Sequence, residues 1–350
     1  MVNPIAAMTV VPGCPETVGT TRLDRPPGGG ALLVDGLLAG VCGTDREIVE
    51  HGLGSAPADT DRLVLGHESV GRVARAPQGS GFAVGDLVVG LVRRPGPDPC
   101  PACRNGETDS CLDGRYRSRG ISGLHGYGAT SWRLEPEFAV RLDPALDELG
   151  VLAEPASVVA KAWEQTERIG ARTTRGAERV LIVGAGPIGL LAALLSTQRG
   201  HETHVLDRVA DGAKPWLVRR LGATYHTSAI DRLKVRPTVV LECTGVSELA
   251  FAAIEHAAPS PIVCLIGLPD SRCAPADLAA LARILVRGNG VVFGSVNAGR
   301  RHFVAGADAL SRADPDWLAA LITRRVSLAD WSAALASEPG GIKTVVELAP

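Results

Sequence analysis

The chain has 350 residues, of which 45% are hydrophobic and 21% charged, and its formal net charge is −2. At roughly 100–200 residues per domain, this length predicts about two domains with the composition of an ordinary soluble globular protein. So small a charge argues against nucleic acid or an anionic membrane as a partner, and no apolar run approaches the ~18 residues of a membrane span. Because residues 1–11 lack a secretion signal and the eight cysteines are not those of a disulfide-rich scaffold, we expect a cytoplasmic protein.

The first part of the chain alternates short apolar runs with Gly, Pro and Asp turns, which is typical of an all-β, barrel-like region. Between residues 93 and 128 this pattern gives way to a Pro-, Gly- and Cys-rich lobe without core periodicity. The predicted strands are 31–38, 63–65, 71–74, 86–92 and 138–142.

From residue 178 onward, apolar β-rich runs alternate with helix-like stretches, which predicts parallel β-α-β units. After residue 297 the alternation stops, and we expect the tail to return to the first domain. The predicted domains are 1–155, 156–297 and 298–350. The predicted strands are 180–183, 204–206, 239–241, 262–266, 291–293 and 344–348, with 223–226 as a short addition, and the predicted helices are 190–199, 217–221, 249–257, 278–287, 305–310 and 330–335.

A Gly-x-Gly-x-x-Gly turn joins a buried strand to a helix start and indicates a dinucleotide site. Gly184 permits the tight turn, Gly186 lets a pyrophosphate approach the backbone, and Gly189 permits close packing of helix against strand. Asp207 follows 18 residues beyond Gly189 and favours NAD, while Arg208 leaves NADP as an alternative, and a glycine turn that binds nothing is the other interpretation. The predicted cofactor contacts are Gly184, Gly186, Pro187, Ile188, Gly189, Asp207, Arg208, Thr244 and Gly267.

Three distant segments carry side chains of the types that bind catalytic zinc, namely Cys42, His67 and Glu154. A catalytic zinc needs three protein ligands from thiolate, imidazole and carboxylate, with one position open. Each residue also has an ordinary explanation: a packed cysteine, a core histidine and a solvated carboxylate at a helix start. Glu68 is a further candidate, as a ligand or as support for one. Periodicity alone does not bring these segments together.

The segments 42–48, 63–68 and 184–189 resemble the zinc-containing medium-chain alcohol dehydrogenase family, and the likeness is closest to microbial glucose dehydrogenases. Glu154, in Ala-Glu-Pro, matches the sugar and polyol branch. Further matching segments are 93–95, 119–121, 294–297 and 342–346. The resemblance implies an α/β protein with a GroES-like catalytic domain, a Rossmann domain and an active site in the cleft.

The resemblance also implies roles for single residues. Cys42, His67 and Glu154 would bind the catalytic zinc, with Glu68 as a possible replacement ligand, and His67 and Glu68 would belong to the catalytic group. Thr44 would carry the departing proton, although its hydroxyl is also suited to an N-cap.

Substrate contacts are implied at Ser118, Glu154 and Asn297. Glucose-specific relatives have acidic residues where Ser118 and Val158 stand, so the accepted polyol is expected to differ.

The cysteine lobe resembles a structural zinc site with one ligand replaced. Relatives carry four cysteines, whereas this chain has Cys100, Cys103 and Cys111, with Pro97 at the first position. Asp98 stands next to that proline and is the candidate fourth ligand. A metal-free lobe with reduced thiols is the alternative.

We therefore predict a zinc-dependent dehydrogenase that transfers hydride between a sugar or polyol and NAD, with NADP as the alternative cofactor. A modified sugar or aminocyclitol from a biosynthetic pathway is the second substrate class. A zinc-free quinone reductase and a non-catalytic dinucleotide-binding protein are the rival interpretations. Relatives form dimers and tetramers, so a homodimer or homotetramer is expected.

Overall fold

The computed structural model describes residues 5–269 and 277–348, so Cys273, expected to be structural, lies outside the described residues. The chain divides into two compact units: residues up to Ser157 together with those from Asn297, and Val158–Val296. The predicted boundaries, after residues 155 and 297, differ from these by two residues and one residue. None of the described helices has the length and apolar character needed to cross a bilayer.

The first unit is rich in strands. Its strands are β1 (Ile5–Val11), β2 (Cys14–Leu23), β3 (Leu32–Val41), β4 (Leu63–Val64), β5 (Glu68–Arg75), β6 (Leu87–Gly90), β7 (Arg93–Arg94), β8 (Arg117–Arg119), β9 (Gly123–Leu124), β10 (Ser131–Leu134), β11 (Ala139–Arg141), β18 (Ile322–Ser327) and β19 (Lys343–Glu347). Its helices are α1 (Gly43–His51), α2 (Pro101–Arg104), the start of α3 (Ala153–Gly170), α8 (Arg300–Ser311) and α9 (Pro315–Leu321).

Strand β3 organises the main sheet of the first unit, whose order is β11-β6-β5-β3-β19-β18, with β10 also paired to β3. It is one of the two longest strands of the unit, and its last four residues are all buried. Because β5 and β19 flank β3, residues from early and late in the chain meet at its carboxyl end. Tyr127 and Trp132 pack with ring centroids 4.8 Å apart, and both belong to a hydrophobic cluster that includes Leu32 and Val34 of β3.

The sequence analysis missed several elements of this unit. Strands β1 and β2 form a hairpin around Gly13, whose φ of +79° suits the turn, but β2 is largely polar and gives no apolar alternation. In the tail, α9 and β18 precede a short 3₁₀ helix at Trp331–Leu335, where a helix was predicted. Strand β18 has only partly buried residues on its inner face, which explains its weak signal.

The second unit is a six-stranded parallel sheet in the order β14-β13-β12-β15-β16-β17, which confirms the predicted α/β class. The expected short strand at residues 223–226 is β14. The strands are β12 (Arg179–Val183), β13 (Glu202–Leu206), β14 (Thr224–His226), β15 (Val239–Glu242), β16 (Ile262–Leu265) and β17 (Val291–Gly294), and the helices are α4 (Pro187–Gln198), α5 (Ala213–Arg220), α6 (Ser247–His256) and α7 (Leu278–Gly288). The order reverses at β12, so a ligand is expected at the carboxyl ends of β12 and its neighbours.

Candidate active site

Cys42 is fixed at the junction of β3 and α1. It is the N-cap of α1: its Sγ accepts the backbone N–H of Thr44 at 3.2 Å, and its own N–H donates to Asp45 Oδ2 at 2.9 Å. This reciprocal cap holds the sulfur at one end of the helix. The alternative role of Thr44 as N-cap is wrong, because the cap position belongs to Cys42.

His67 is placed by glycines that allow backbones to approach closely. Gly66 has a φ of +89°, and an added Cβ would lie 2.5 Å from the backbone nitrogen of Gly128. A Cβ at Gly120 would lie 3.1 Å from the backbone nitrogen of His67. The backbones around the loop before β5 therefore lie too close together for a Cβ at either glycine, and His67 is buried between them.

Cys42 and His67 face each other, although 25 residues separate them in sequence. The distance from Sγ to Nε2 is 3.1 Å, and Nδ1 of His67 lies 3.5 Å from Asp45 Oδ1. Burial by itself lowers the pKa of His67, but the neighbouring Cys42 and Asp45 raise it well above its ordinary value. The carboxylate thus orients the imidazole by Nδ1 and leaves Nε2 directed at the sulfur, as in metal-ligating histidines.

Two glutamates complete the buried polar cluster. Glu154 lies in the first turn of α3 and is 8% exposed, so it is not a solvated helix-start carboxylate. Burial, together with the nearby Glu68, raises the pKa of Glu154 to about 7. Glu68 is buried against Lys343, whose ammonium group contacts Oε2.

Metal-ligand spacing is met by two groups within the described residues, Cys42 with Asp45 and His67, and Cys100 with Cys103 and Cys111. In each group the ligand atoms all lie within 4.8 Å of one another, and neither Glu68 nor Glu154 belongs to the first group. Thiolate, imidazole and carboxylate are the donor types of catalytic zinc, and Cys42 Sγ and His67 Nε2 face each other at 3.1 Å. The residues present therefore fit a zinc ion.

The remaining predicted catalytic and substrate residues lie in the same unit. Thr44 is half-buried in the first turn of α1. Ser118 is buried in the small sheet β7-β8-β9, opposite Arg93 and two residues before Gly120. Asn297 has a φ of +58°, and its Oδ1 accepts the N–H of Ala298 at 2.8 Å, which stabilises this left-handed residue.

In the cysteine lobe the three thiols converge but Asp98 does not join them. Asp98 is 86% exposed and lies 4.0 Å from Arg115. Cys111 instead donates to Asp113 Oδ1 at 3.0 Å, and this hydrogen bond is the main cause that lowers the pKa of Asp113 to about 2. Backbone N–H donors lower the pKa of Cys100 to about 7, which favours its thiolate.

The glycine-rich turn lies between β12 and α4. Gly184 has a φ of +99°, and a Cβ at Gly189 would lie 1.8 Å from the carbonyl oxygen of Gly184, so both positions require glycine. A Cβ at Gly186, by contrast, would meet no atom within 4 Å. Gly186 is the N-cap of α4, whose first residues are Pro187 and Ile188, and no side chain caps this end. The open space beside an uncapped helix N-terminus fits a pyrophosphate.

Asp207 follows β13 and is tied to the same turn. Its Oδ2 accepts the N–H of Ala185 at 2.7 Å and lies 3.3 Å from Lys214 Nζ, while its Oδ1 accepts the N–H of Val209 at 2.9 Å. Burial by itself raises the pKa of Asp207, but these donors lower it below its usual value. Arg208 is exposed. The site predicted to favour NAD therefore carries a cation that balances the carboxylate.

Thr244 and Gly267 belong to the loops that follow β15 and β16. The N–H of Thr244 donates to the buried carboxylate of Glu242 at 2.7 Å, and its hydroxyl contacts the same oxygen. A Cβ at Gly267 would lie 2.1 Å from the backbone nitrogen of Gly245. These contacts pack the two loops against each other at the carboxyl edge of the sheet.

The sequence analysis did not identify four residues that hold these sites together: Asp45, Lys343, Lys214 and Glu242. Asp45 had a local signal, because it stands three residues after Cys42 in a capping-box pattern. Lys343 and Lys214 had none, since each is defined by a partner on another element. Glu242 is an acidic residue at the end of an apolar run, which indicates a loop anchor only when the strand order is known.

Two family models match most of the chain. Residues 28–144 match the alcohol dehydrogenase GroES-like domain, and residues 147–348 match the glucose dehydrogenase C-terminus.

Similar proteins include the glucose 1-dehydrogenase of Methanocella arvoryzae, which is 38% identical over 98% of this chain and 99% of its own. Glucose 1-dehydrogenase 2 of Vulcanisaeta moutnovskia is 37% identical with the same coverage. A similar solved structure is Haloferax mediterranei glucose dehydrogenase in complex with NADP, Zn and gluconolactone, with a TM-score of 0.89, 29% identity and 99% of both chains covered.

Proposed function

The chain belongs to the zinc-type alcohol dehydrogenase family, in its glucose dehydrogenase branch, and on this premise we propose that it oxidises a sugar or polyol hydroxyl with NAD(P). Its relatives are named glucose 1-dehydrogenases over nearly their full length, and a neighbouring structure contains NADP, zinc and gluconolactone. The reaction class is therefore that of a zinc-dependent sugar dehydrogenase, and an aldose is the first substrate to test.

The observation that carries this proposal is the contact between the half-buried Cys42 and the buried His67. A thiol and an imidazole nitrogen 3.1 Å apart, with a carboxylate behind the ring, match the zinc ligands of a dehydrogenase better than they match core packing. A zinc-free quinone reductase or a non-catalytic relative would not require a thiol, an imidazole and a carboxylate at these positions. Cys42, His67 and Glu154 would bind the metal.

A bound zinc ion supplies Lewis acidity that lowers the pKa of the substrate hydroxyl. Residues of the chain orient the metal ligands and would accept the proton. Asp45 orients His67 through Nδ1, and the helix cap fixes Cys42. Thr44 is half-buried beside Cys42, and its hydroxyl would accept the departing proton and release it to solvent.

The cofactor would bind the second unit at the Gly184–Gly189 turn. Pro187 and Ile188 begin the uncapped helix that would face the pyrophosphate, and Thr244 and Gly267 lie in the neighbouring loops. Asp207 would accept from the adenosine ribose, while Lys214 and Arg208 provide positive charge for a 2′-phosphate. Both NAD and NADP are therefore expected as cofactors.

The direct test is a spectrophotometric screen for NAD(P)H formation over aldoses, polyols and aminocyclitols, with zinc measured on the same sample. Turnover of an aldose that disappears when zinc is removed by a chelator, and returns when it is restored, supports the proposal. Selective turnover of an aminocyclitol would move the substrate class to the modified sugars. Turnover that survives complete zinc removal would contradict the metal role.

The cysteine lobe would bind a second, structural zinc. Cys100, Cys103 and Cys111 supply three thiolates, and the contact of Asp113 with Cys111 favours Asp113 over Asp98 as the nearest carboxylate. Thiols grouped for a metal, and free thiols at the other described cysteines, favour a reducing compartment such as the cytoplasm.

The second unit also offers a surface for a second copy of the chain. Strand β17 is the outer strand of the parallel sheet, so one of its edges has unpaired backbone groups. Helix α7 buries none of its residues, and Leu278 and Val286 are 72% and 77% exposed. We expect a homodimer or a homotetramer built through this edge. Multi-angle light scattering of the Val286→Glu variant would give a smaller mass than the wild type, and an unchanged mass would exclude this surface.

A further inference from the structure

Glu68 reaches Lys343 by crossing the central strand of the first unit. Glu68 begins β5 and Lys343 begins β19, and these two strands lie on opposite sides of β3. Neighbouring strands are about 4.8 Å apart, so the backbones of β5 and β19 are separated by about 9.6 Å. The side chains of Glu68 and Lys343 must therefore meet above β3. The residue of β3 at this position is Gly40, which pairs with Glu68 on one side and with Val345 on the other.

Gly40 provides the space for this crossing. A Cβ at this position would lie 2.3 Å from Glu68 Oε2 and 2.8 Å from Lys343 Cε, well inside van der Waals contact. Its φ is not positive, so the backbone conformation of Gly40 suits any residue. The requirement for glycine at this position is therefore steric, and it arises from the ion pair.

Because the ion pair is buried, neither residue can leave its partner without a large cost in stability. Lys343 and Glu68 are 1% and 3% exposed, and Nζ of Lys343 also donates to the carbonyl oxygen of Val41 at 3.2 Å. Removing the partner of a buried charge is strongly destabilising, because the remaining charge is neither solvated nor paired. Lys343 thus holds the carboxylate of Glu68 in one position.

Glu154 is held in no such way. Among residues 5–269 and 277–348, its carboxylate forms no ion pair or hydrogen bond, although it is buried beside Glu68 and His67. Besides Asp45, which lies behind the His67 ring, two glutamates border the Cys42 and His67 pair: Glu68 is fixed by an ammonium group, and Glu154 forms no ion pair with any described residue.

We propose that Gly40 is a positioning residue that decides which carboxylate serves the metal. By leaving the space above β3 open, it lets Glu68 pair with Lys343, and Glu154 remains as the ligand. This inference rests on the proposed zinc-dependent function, and it assigns to Glu68 the role of a fixed neighbouring charge.

The test uses Co²⁺ as a spectroscopic substitute for zinc in the full-length protein. The visible bands of Co²⁺ report the number and geometry of its ligands. Because the cysteine lobe would also bind Co²⁺, each spectrum is taken as the difference from the Cys42→Ser form of the same variant. Zinc affinity is measured in parallel by competition with a chelator.

Gly40→Ala is expected to displace Glu68 from Lys343, to change the visible bands and to weaken zinc binding by about 10- to 100-fold. Lys343→Met breaks the same pair without crowding and should change the bands in the same way. Gly19→Ala is the matched control, because a Cβ on this strand residue of the same unit meets nothing within 4 Å. It should leave both the spectrum and the affinity unchanged.

A background without the ion pair separates this role from a general packing effect. In Glu68→Ala/Lys343→Met protein, the added Gly40→Ala should leave the Co²⁺ spectrum unchanged. If Gly40→Ala fails to fold, Lys343→Met decides the question. Wild-type bands in folded Lys343→Met protein would overturn the inference alone, whereas a wild-type chain that binds no metal at Cys42 would overturn the proposed function with it.

Discussion

The cofactor turn and the metal cluster are built in opposite ways. The cofactor turn consists of six consecutive residues, Gly184–Gly189, which link a buried strand to the first turn of the helix that follows it. The metal cluster takes its side chains from the end of β3, the loop before β5 and the start of α3. In the turn, neighbouring backbone atoms decide which residues fit. In the cluster, the ligands are held by charges and glycines that belong to other segments.

The two regions should also fail in different ways when they are mutated. Steric demands dominate in the turn, where a Cβ at Gly189 would nearly coincide with a carbonyl oxygen. Buried charges dominate in the cluster, where Asp45, Lys343 and Glu68 are all less than 5% exposed. A mutation in one region should leave the other intact, because the cluster belongs to the first unit and the turn to the second.

The largest effect is expected from the metal ligands. His67→Ala or Cys42→Ser removes a donor, and the loss of Lewis acidity, worth several kcal/mol, should lower turnover by at least about 10³-fold. NADPH binding, measured by fluorescence titration, should stay within about twofold, because the cofactor residues belong to the second unit. Full activity in metal-free His67→Ala protein would remove zinc from the mechanism.

Next in size is the effect of filling the cofactor turn. Gly186→Val places a side chain where no protein atom lies within 4 Å, so the melting temperature should hardly change. The Kd for NAD(P)H should rise by about tenfold or more, equivalent to ~1.4 kcal/mol, because the side chain occupies the space expected for the pyrophosphate.

Gly189→Ala is the matched comparison for this change. Its Cβ would lie 1.8 Å from the carbonyl oxygen of Gly184, so the melting temperature should fall. Equal destabilisation of both variants, with equal cofactor affinity, would show that Gly186 does not face the cofactor.

A smaller effect should appear in the choice between NAD and NADP. Lys214→Met removes the cation beside Asp207 and should lower kcat/KM for NADP relative to NAD by about tenfold, since a hydrogen bond to a charged group contributes about 1.5–3 kcal/mol. Asp207→Ala should change the ratio in the opposite direction. An unchanged ratio in both variants would assign the choice to Arg208 or another group.

The smallest effect concerns the carboxylates of the cysteine lobe. Asp98→Ala should leave the zinc content and the melting temperature unchanged, because Asp98 is exposed and lies outside the thiol group. Asp113→Ala should weaken zinc retention, because it removes the acceptor of Cys111. Mass spectrometry under native conditions would count the bound ions, and loss of one ion in Asp98→Ala alone would restore the original assignment.

The cofactor turn and the metal cluster also differ in how well they could be predicted from the sequence. The cofactor turn, its strand and helix, and the six-stranded parallel sheet were predicted with small boundary errors, because their signals are local periodicity and glycine spacing. Strand β2 and helix α9 were missed because polar or short segments carry no such signal.

For the metal cluster, the resemblance supplied Cys42, His67 and Glu154, while the residues alone left each with an ordinary explanation. Of the supporting groups, Asp45 had a local capping-box signal, whereas Lys343 had no local signal. Lys343 lies 275 residues beyond Glu68, and only the sheet order β5-β3-β19 makes them neighbours across Gly40. Asp98 was the candidate because it lies beside the missing cysteine in sequence, whereas the fold brings Asp113, which was not considered, to Cys111.

The most direct test is anomalous diffraction at the zinc edge from crystals of the zinc-loaded protein. The account predicts one peak about 2.3 Å from Cys42 Sγ and about 2.0–2.2 Å from His67 Nε2 and a carboxylate oxygen of Glu154, with Glu68 still on Lys343. A zinc-loaded crystal without a peak at Cys42 and His67, or with Glu68 bound to the ion in place of Glu154, would contradict it.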